Sequence, residues 1–353
     1  MNLFSRRALC AWLTTPVLVR PTLAQDSVDI KVTTNVVTAP TVVTDAGGGL
    51  VSGLQTQDFV VYDNDKPQEF KVDVSFEAID VVVVVQADAV TDEILPRVRK
   101  VAPLFDSLIT GDQGQVAIIA FDHRIRVMQD FTNDSAKIKK ALDSVNPGSS
   151  SARQIDAATE AVRMLSRRAK TRRRVMLLIS ETRDKGSEGR LRDLLTLAEV
   201  NNVLVYTANM SRLVNTLTAK TPVPRPSAIP PEARRMPNGQ TATPNDIMQN
   251  TGWGSSAIPA FVEIFRQAKA VFVSNPAEVL TKYTGGREYG FVTQRALEDA
   301  ITAIGEELHS HYLISYTPNT MADGGWHTIR IEVRRPNLTI RTRPGYWLAA
   351  VPR

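Results

Sequence analysis

Ile79-Asp80-Val81-Val82-Val83-Val84-Val85-Gln86 is the stretch whose reading decides the fold. Five consecutive valines leave no polar face, so both sides of the strand must be covered, as in a parallel sheet with helices above and below it. Three further apolar runs repeat the signal: Val116 to Phe121, Val175 to Ile179 and Val203 to Tyr206. Helical spacing separates them. Ile138, Ala141, Leu142 and Val145 share one face, as do Ile155, Ala158, Val162 and Leu165, and then Leu191, Leu194, Leu195 and Ala198. Ser187 is the N-cap expected upstream of this last helix. Strands alternating with helices predict an α/β, doubly wound, Rossmann-like sheet.

Downstream, prolines from Pro222 to Pro244 punctuate a polar stretch without periodicity, and residues 211–260 are read as a long insertion in the sheet domain. Order returns with a helix at Phe261, Ile264, Phe265 and Ala268. Another helix begins at Pro276 and ends at Thr284-Gly285-Gly286, and Tyr289 to Val292 is an edge-strand candidate. Leu297, Ile301, Ile304 and Leu308 mark a final amphipathic helix, and Tyr312 to Tyr316 is expected as a last strand of the same sheet. Trp326 to Val333 and Leu338 to Arg343 are β again.

Upstream, Val28 to Val32, Val36-Val37, Thr41 to Val43 and Asp58 to Tyr62 read as strands, with a turn at Asp45 to Gly49. Because chain termini often lie close together, the two ends are expected to build one small β module. The expected organisation is a leader over 1–24, an N-terminal β module over 25–77, the main domain over 78–316 and a C-terminal β segment over 317–353.

The leader reads as a secretory signal. Arg6 and Arg7 precede an apolar stretch from Ala8 to Val19, with a cleavage site after Ala24. General secretion and twin-arginine export both remain open. Cys10 is the only cysteine of the 353 residues and lies in this leader, so the mature chain carries neither disulfides nor thiol chemistry. The formal charge of +5 falls to about +2 once Arg6, Arg7 and Arg20 leave, which argues against a nucleic-acid partner. No later run is apolar over the ~18 residues needed to span a membrane. The expected destination is the periplasm or the outside of a bacterial cell.

Three groups of motifs resemble those of the acidobacterial-type von Willebrand factor type A (vWA)-related proteins. Val42-Val43-Thr44-Asp45, Gly53-Leu54, Asp58-Phe59 and Asp65-Lys66-Pro67-Gln68 fit the N-terminal signature. Phe121-Asp122 and Asp130-Phe131-Thr132 fit the middle. Tyr312 to Pro318 and Arg343-Pro344-Gly345-Tyr346 fit the C-terminal signature. The resemblance spans nearly the whole mature chain. It implies a vWA domain with a β module at its side, and export, but no defined activity.

The resemblance also implies a metal-ion-dependent adhesion site, formed by a first loop Asp-x-Ser-x-Ser, a second loop with Thr and a third with Asp. Such loops give Mg²⁺ the oxygen ligands it needs. Here the first loop reads Gln86-Ala87-Asp88-Ala89-Val90, so Gln86 stands for the Asp, Asp88 for the first Ser, and Val90 supplies no oxygen. In the second loop Ser150 stands for Thr, and in the third Glu181 stands for Asp. Asp88, Ser150 and Glu181 are therefore remnant positions. The expectation is a degenerate site with no resident metal or other cofactor, and Mg²⁺ binding at the remnant is the alternative.

Other constellations carry weaker chemistry. His309-Ser310-His311 lacks a full ligand set. Thr284-Gly285-Gly286-Arg287 lacks the Lys of a phosphate loop and reads as a helix C-cap. His123 follows Asp122, but no serine lies in a Gly-x-Ser-x-Gly setting. Arg163, Arg167, Arg168, Lys170, Arg172, Arg173 and Arg174 form the densest basic run, either a solvated face or a contact patch centred on Arg167 to Arg173. The leading functional expectation is a noncatalytic module that binds or scaffolds an unidentified protein partner. Alternatives are a cation-dependent adhesion module and a hydrolase without a recognisable motif.

Overall fold

The computed structural model describes residues 36–73, 78–105, 113–149, 151–181, 183–210, 275–319 and 325–348. The leader, the strand expected at Val28 to Val32, the insertion over 211–260 and the helix expected at Phe261 lie outside the described residues.

The chain opens with β1 (Val37–Thr44), β2 (Phe59–Asp63), β3 (Lys66–Pro67) and β4 (Phe70–Asp73). The turn after β1 closes where the Asp45 carboxylate accepts the Gly47 and Gly49 amides, both at 2.8 Å, and Gly48 adopts φ 83°.

The central layer begins with β5 (Ile79–Gln86), every residue of which is buried. Helices α1 (Leu95–Lys100) and α2 (Ala102–Leu104) lead to β6 (Gln115–Phe121) and β7 (Ile125–Thr132). Then come α3 (Ser135–Asp143), α4 (Gln154–Ser166), β8 (Arg173–Ser180), α5 (Leu191–Val200) and β9 (Val203–Met210). After the insertion follow α6 (Pro276–Thr284), β10 (Glu288–Phe291) and α7 (Gln294–His309). The sheet order is β10-β9-β8-β5-β6-β7, parallel except for the antiparallel edge strand β7.

The valine run explains both layers. Alternate side chains of a strand point to opposite faces. Val81, Val83 and Val85 pack with α1, α2, α3 and α7 through Val98, Ala102, Leu142 and Ile301. Val82 and Val84 pack on the other side with α4, α5 and α6 through Val162, Leu194 and Leu280. The fold is thus α/β and doubly wound, as the pattern predicts. Strands run outward from β5 through β6 to β7, and then resume on its opposite flank at β8. The order therefore reverses between β5 and β8, where open α/β sheets place ligands.

The chain ends with β11 (Tyr312–Tyr316), β12 (Gly325–Val333), β13 (Thr339–Arg341) and β14 (Gly345–Leu348). The two ends of the chain form two small sheets, β13-β1-β11-β4 and β14-β12-β2-β3. Val37, Phe59, Tyr312, Ile329 and Tyr346 share their core. The strand at Tyr312 to Tyr316 departs from expectation. It pairs antiparallel with β1 and β4, not with the central sheet. Alternation of buried and half-buried residues identifies a strand but carries no information about which sheet it joins.

Two further expectations shift. Ser187 does not cap α5, whose N-cap is Arg190 without a side-chain hydrogen bond. The Ser187 hydroxyl instead accepts from the Asp156 amide in the first turn of α4, at 3.1 Å, and donates to Asp184 at 2.6 Å. The predicted C-cap after α6 is present, with Gly285 left-handed at φ 87°.

Candidate functional site

The carboxyl ends of β5, β6 and β8 converge on one cleft. Beyond β5, Gln86 and Asp88 are fully buried, and Thr91 closes the turn by donating its amide to Asp88 Oδ1 at 3.2 Å. Gln86 is the bridge across the cleft. Its Nε2 donates to Asp88 Oδ2 at 3.0 Å, and its Oε1 accepts from the Glu181 amide at 2.8 Å. Glu181, which follows β8, receives the Lys185 ammonium on Oε2 at 3.1 Å. Burial raises the Asp88 carboxyl above its usual range, Gln86 opposes that shift, and the Glu181 charge adds to it.

Gln86 thus links the remnant positions Asp88 and Glu181 across one cleft, while Ser150 lies outside the described residues. The donor set does not fit a hard divalent cation. Gln86 presents its amide nitrogen to Asp88 where the adhesion motif has a carboxylate, and a lysine ammonium already sits on the Glu181 oxygen. Among the described residues no group of three or more His, Cys, Asp or Glu is placed to hold a metal ion.

The second loop closes on Asp122 at the end of β6. Asp122 Oδ2 accepts the Ser149 amide at 3.2 Å, and Gly148 leaves the space this carboxylate fills, since a Cβ there would lie 1.6 Å from Oδ2. Ser149 Oγ lies 2.7 Å from His123 Nδ1, and Asp122 Oδ1 lies 3.4 Å from the same nitrogen. Sequence reasoning missed this grouping, because Ser149 is 26 residues from His123 and sits in no nucleophile motif. A catalytic triad needs the serine and the carboxylate on opposite ring nitrogens, so that one orients the base while the other gives up its proton. Here both meet Nδ1.

The basic run has an internal role. Arg168 Nε and Arg172 NH2 contact the fully buried Asp80 carboxylate, each at 2.6 Å. Arg174 donates to the carbonyls of Asn201 and Arg168, and Arg173 to that of Leu308. Of the positions singled out for a contact patch, Arg167 and Lys170 are exposed, whereas Arg168, Arg172 and Arg173 are partly buried against these partners.

The histidine pair is divided. His309 Nδ1 meets the Gly305 carbonyl within α7 at 2.7 Å. His311 is buried near Tyr206, Glu307 and Arg341, and burial, aided by Arg173 and Arg341, pushes its imidazole down to about 3. A second buried cluster joins Asp63 to His327 and to the hydroxyls of Tyr316 and Tyr346, at 2.7, 2.9 and 2.7 Å.

Residues 85–183 match the family model described as the von Willebrand factor type A domain. Among solved structures, the chain is 14% identical to an aerotolerance-related membrane protein from Bacteroides fragilis, covering 65% of this chain and 98% of that one, with a TM-score of 0.38. It is 13% identical to BatB from Bacteroides thetaiotaomicron, covering 65% and 99%, with a TM-score of 0.38. It is 12% identical to proximal thread matrix protein 1 from the mussel byssus, covering 69% and 49%, with a TM-score of 0.39. No curated protein matches the chain. No helix of the described residues is long and apolar enough to cross a membrane.

Proposed function

We propose that the chain is an exported, noncatalytic binding or scaffolding protein that engages a protein partner at the cleft between β5 and β8 without a metal ion. One observation carries this reading: the Gln86 amide ties Asp88 to the Glu181 backbone, and Lys185 supplies the positive charge on Glu181. The carboxylates that would call for a cation are served from within the chain. The leader over 1–24 supports export. The shared Nδ1 of His123 speaks against hydrolysis by Ser149.

The test places a photoreactive residue at His123, whose side chain is 46% exposed on the cleft rim, and a second at the exposed Lys170, which precedes the amino end of β8, away from the cleft. Crosslinking in the source cell's envelope extract is expected to trap one partner from position 123, equally with EDTA and with Mg²⁺. Capture that requires Mg²⁺, or that occurs only from position 170, overturns the proposal. Calorimetric titration with Mg²⁺ and Mn²⁺ is expected to give no saturable heat. Saturable binding lost in Asp88→Ala would establish the cation-dependent adhesion module instead. Turnover in a hydrolase screen, abolished by Ser149→Ala, would make the protein an enzyme.

A further inference from the structure

The C-terminal signature Arg343-Pro344-Gly345-Tyr346 is not used by the cleft. It borders a pocket on the other side of the domain, where the C-terminal end of α5 meets β14. Glu199, Arg343, Tyr346, Trp347, Val37 and Leu348 are among the residues that line it. Arg343 is 5% exposed, and its Nε has no hydrogen-bond partner. The guanidinium lies 5.7 Å from the Tyr346 ring. Glu199 is the carboxylate whose charge it feels, together with the Tyr316 and Tyr346 hydroxyls. Those two hydroxyls already donate to Asp63, so they offer Arg343 no proton acceptor of comparable strength. Glu199 in turn accepts the Trp347 amide on Oε1. A buried guanidinium is always charged, and one left with an unmet donor carries a standing penalty that an anion of matching shape removes.

We infer that this pocket binds a small carboxylate, with Arg343 as its charged anchor and Glu199 as the acid that shares a proton with it. The planar fork of arginine suits a carboxylate. Two carboxyl groups beside one guanidinium cannot both ionise cheaply, so the second is accommodated by a proton on the first. Glu199 is suited to this: burial pushes its carboxyl up to about 7, while Arg343 and the Trp347 amide pull the other way. Ligand binding therefore takes up a proton from solvent, and affinity falls about tenfold from pH 6 to pH 8 as that proton becomes harder to supply. The inference is independent of the partner cleft.

The experiment titrates the full-length protein with formate at constant ionic strength and follows the Trp347 backbone amide by NMR, with formamide as the neutral counterpart. Formate is expected to saturate the shift about tenfold more tightly at pH 6 than at pH 8, and formamide to leave it unmoved. Glu199→Gln, which keeps an acceptor for the Trp347 amide, is expected to bind formate with equal affinity at both pH values. Arg343→Gln is expected to abolish binding. No saturation by 100 mM formate at pH 6, a tenfold pH dependence persisting in Glu199→Gln, or binding retained in a folded Arg343→Gln variant would overturn the inference. N-acetylglycine, a stand-in for a peptide terminus, separates the two sources. If it saturates the same amide, the pocket accepts chain ends; if only formate does, the ligand is a free short-chain acid.

Discussion

Asp80→Asn is the substitution whose consequence the structure specifies most fully. Asp80 is fully buried at the start of β5. Its Oδ2 accepts Arg168 Nε at 2.6 Å and Arg172 Nε at 2.8 Å, and its Oδ1 accepts Arg172 NH2 at 2.6 Å and Arg168 NH2 at 3.4 Å. An asparagine keeps one oxygen and turns the other into an NH₂ that faces guanidinium donors. Two charge-assisted hydrogen bonds are lost, at about 1.5–3 kcal/mol each. The arginine side chains are 27% and 22% exposed, and each keeps a second acceptor in Gln115 or Gln113, so water and these partners recover part of the loss. The expected destabilisation is therefore at the low end, about 3 kcal/mol. With a urea slope of about 3 kcal/mol per molar, the midpoint falls by about 1 M. Arg167→Gln and Lys170→Gln, at exposed positions of the same run, are expected to stay within about 0.5 kcal/mol of the parent. Urea unfolding followed by circular dichroism checks all three. An Asp80→Asn midpoint that coincides with the parent's, or a Lys170→Gln shift of equal size, would refute the assignment of the run to the interior.

Gly286→Ala is expected to destabilise by more than about 4 kcal/mol or to prevent folding, because its Cβ would lie 1.8 Å from the Val205 carbonyl oxygen, a backbone atom that cannot rotate away. Gly290→Ala has nothing within 4 Å and is expected to be neutral in the same thermal melt. His311 carries a pH signature. Its folded imidazole is pushed down to about 3, against the ordinary 6.5, so only the unfolded chain takes up this proton as pH falls between those values. The contribution is fully present above about 6.5 and is lost progressively toward 3. His311→Gln is accordingly expected to lose less stability than the parent between pH 7 and pH 4, and a parallel loss in both would show that His311 is not the group responsible.

What could be read from residues alone follows from how local each signal is. The valine run of β5 declares burial on both faces because the evidence sits in consecutive residues. The antiparallel edge strand β7 was not identified as a whole. It is only partly buried, and a register irregularity between Val116 and Ile119 of its partner breaks regular pairing, so no period survives. The basic run is obvious in the chain, but its counter-charge, Asp80, is 88 and 92 residues away from Arg168 and Arg172. Asp88 and Glu181 could be assigned to one end of the sheet from sequence because strand ends in a parallel sheet are predictable. The bridging role of Gln86 could not be assigned in this way, since a glutamine reads equally as a lost ligand or as a new hydrogen-bonding part.

That distinction matters for the proposed function. A vestigial site would leave Asp88 and Glu181 buried without compensation, and unpaired buried carboxylates are strongly destabilising. Here each has a donor. Asp88 holds the Gln86 amide and the Thr91 amide, and Glu181 holds Lys185. The repulsion between two carboxylates that a divalent ion would offset is met instead by one ammonium and by a raised Asp88 carboxyl. On the proposed reading the cleft floor is thereby fixed in a single state, whereas a cation-dependent site changes its charge with metal and ligand. Recognition then passes to the rim, where His123, Arg124 and Glu188 reach solvent. Rim charges act mainly on association rate and are screened by salt. Partner capture should accordingly weaken with ionic strength while remaining indifferent to chelators, the opposite of what a metal-bridged contact would show.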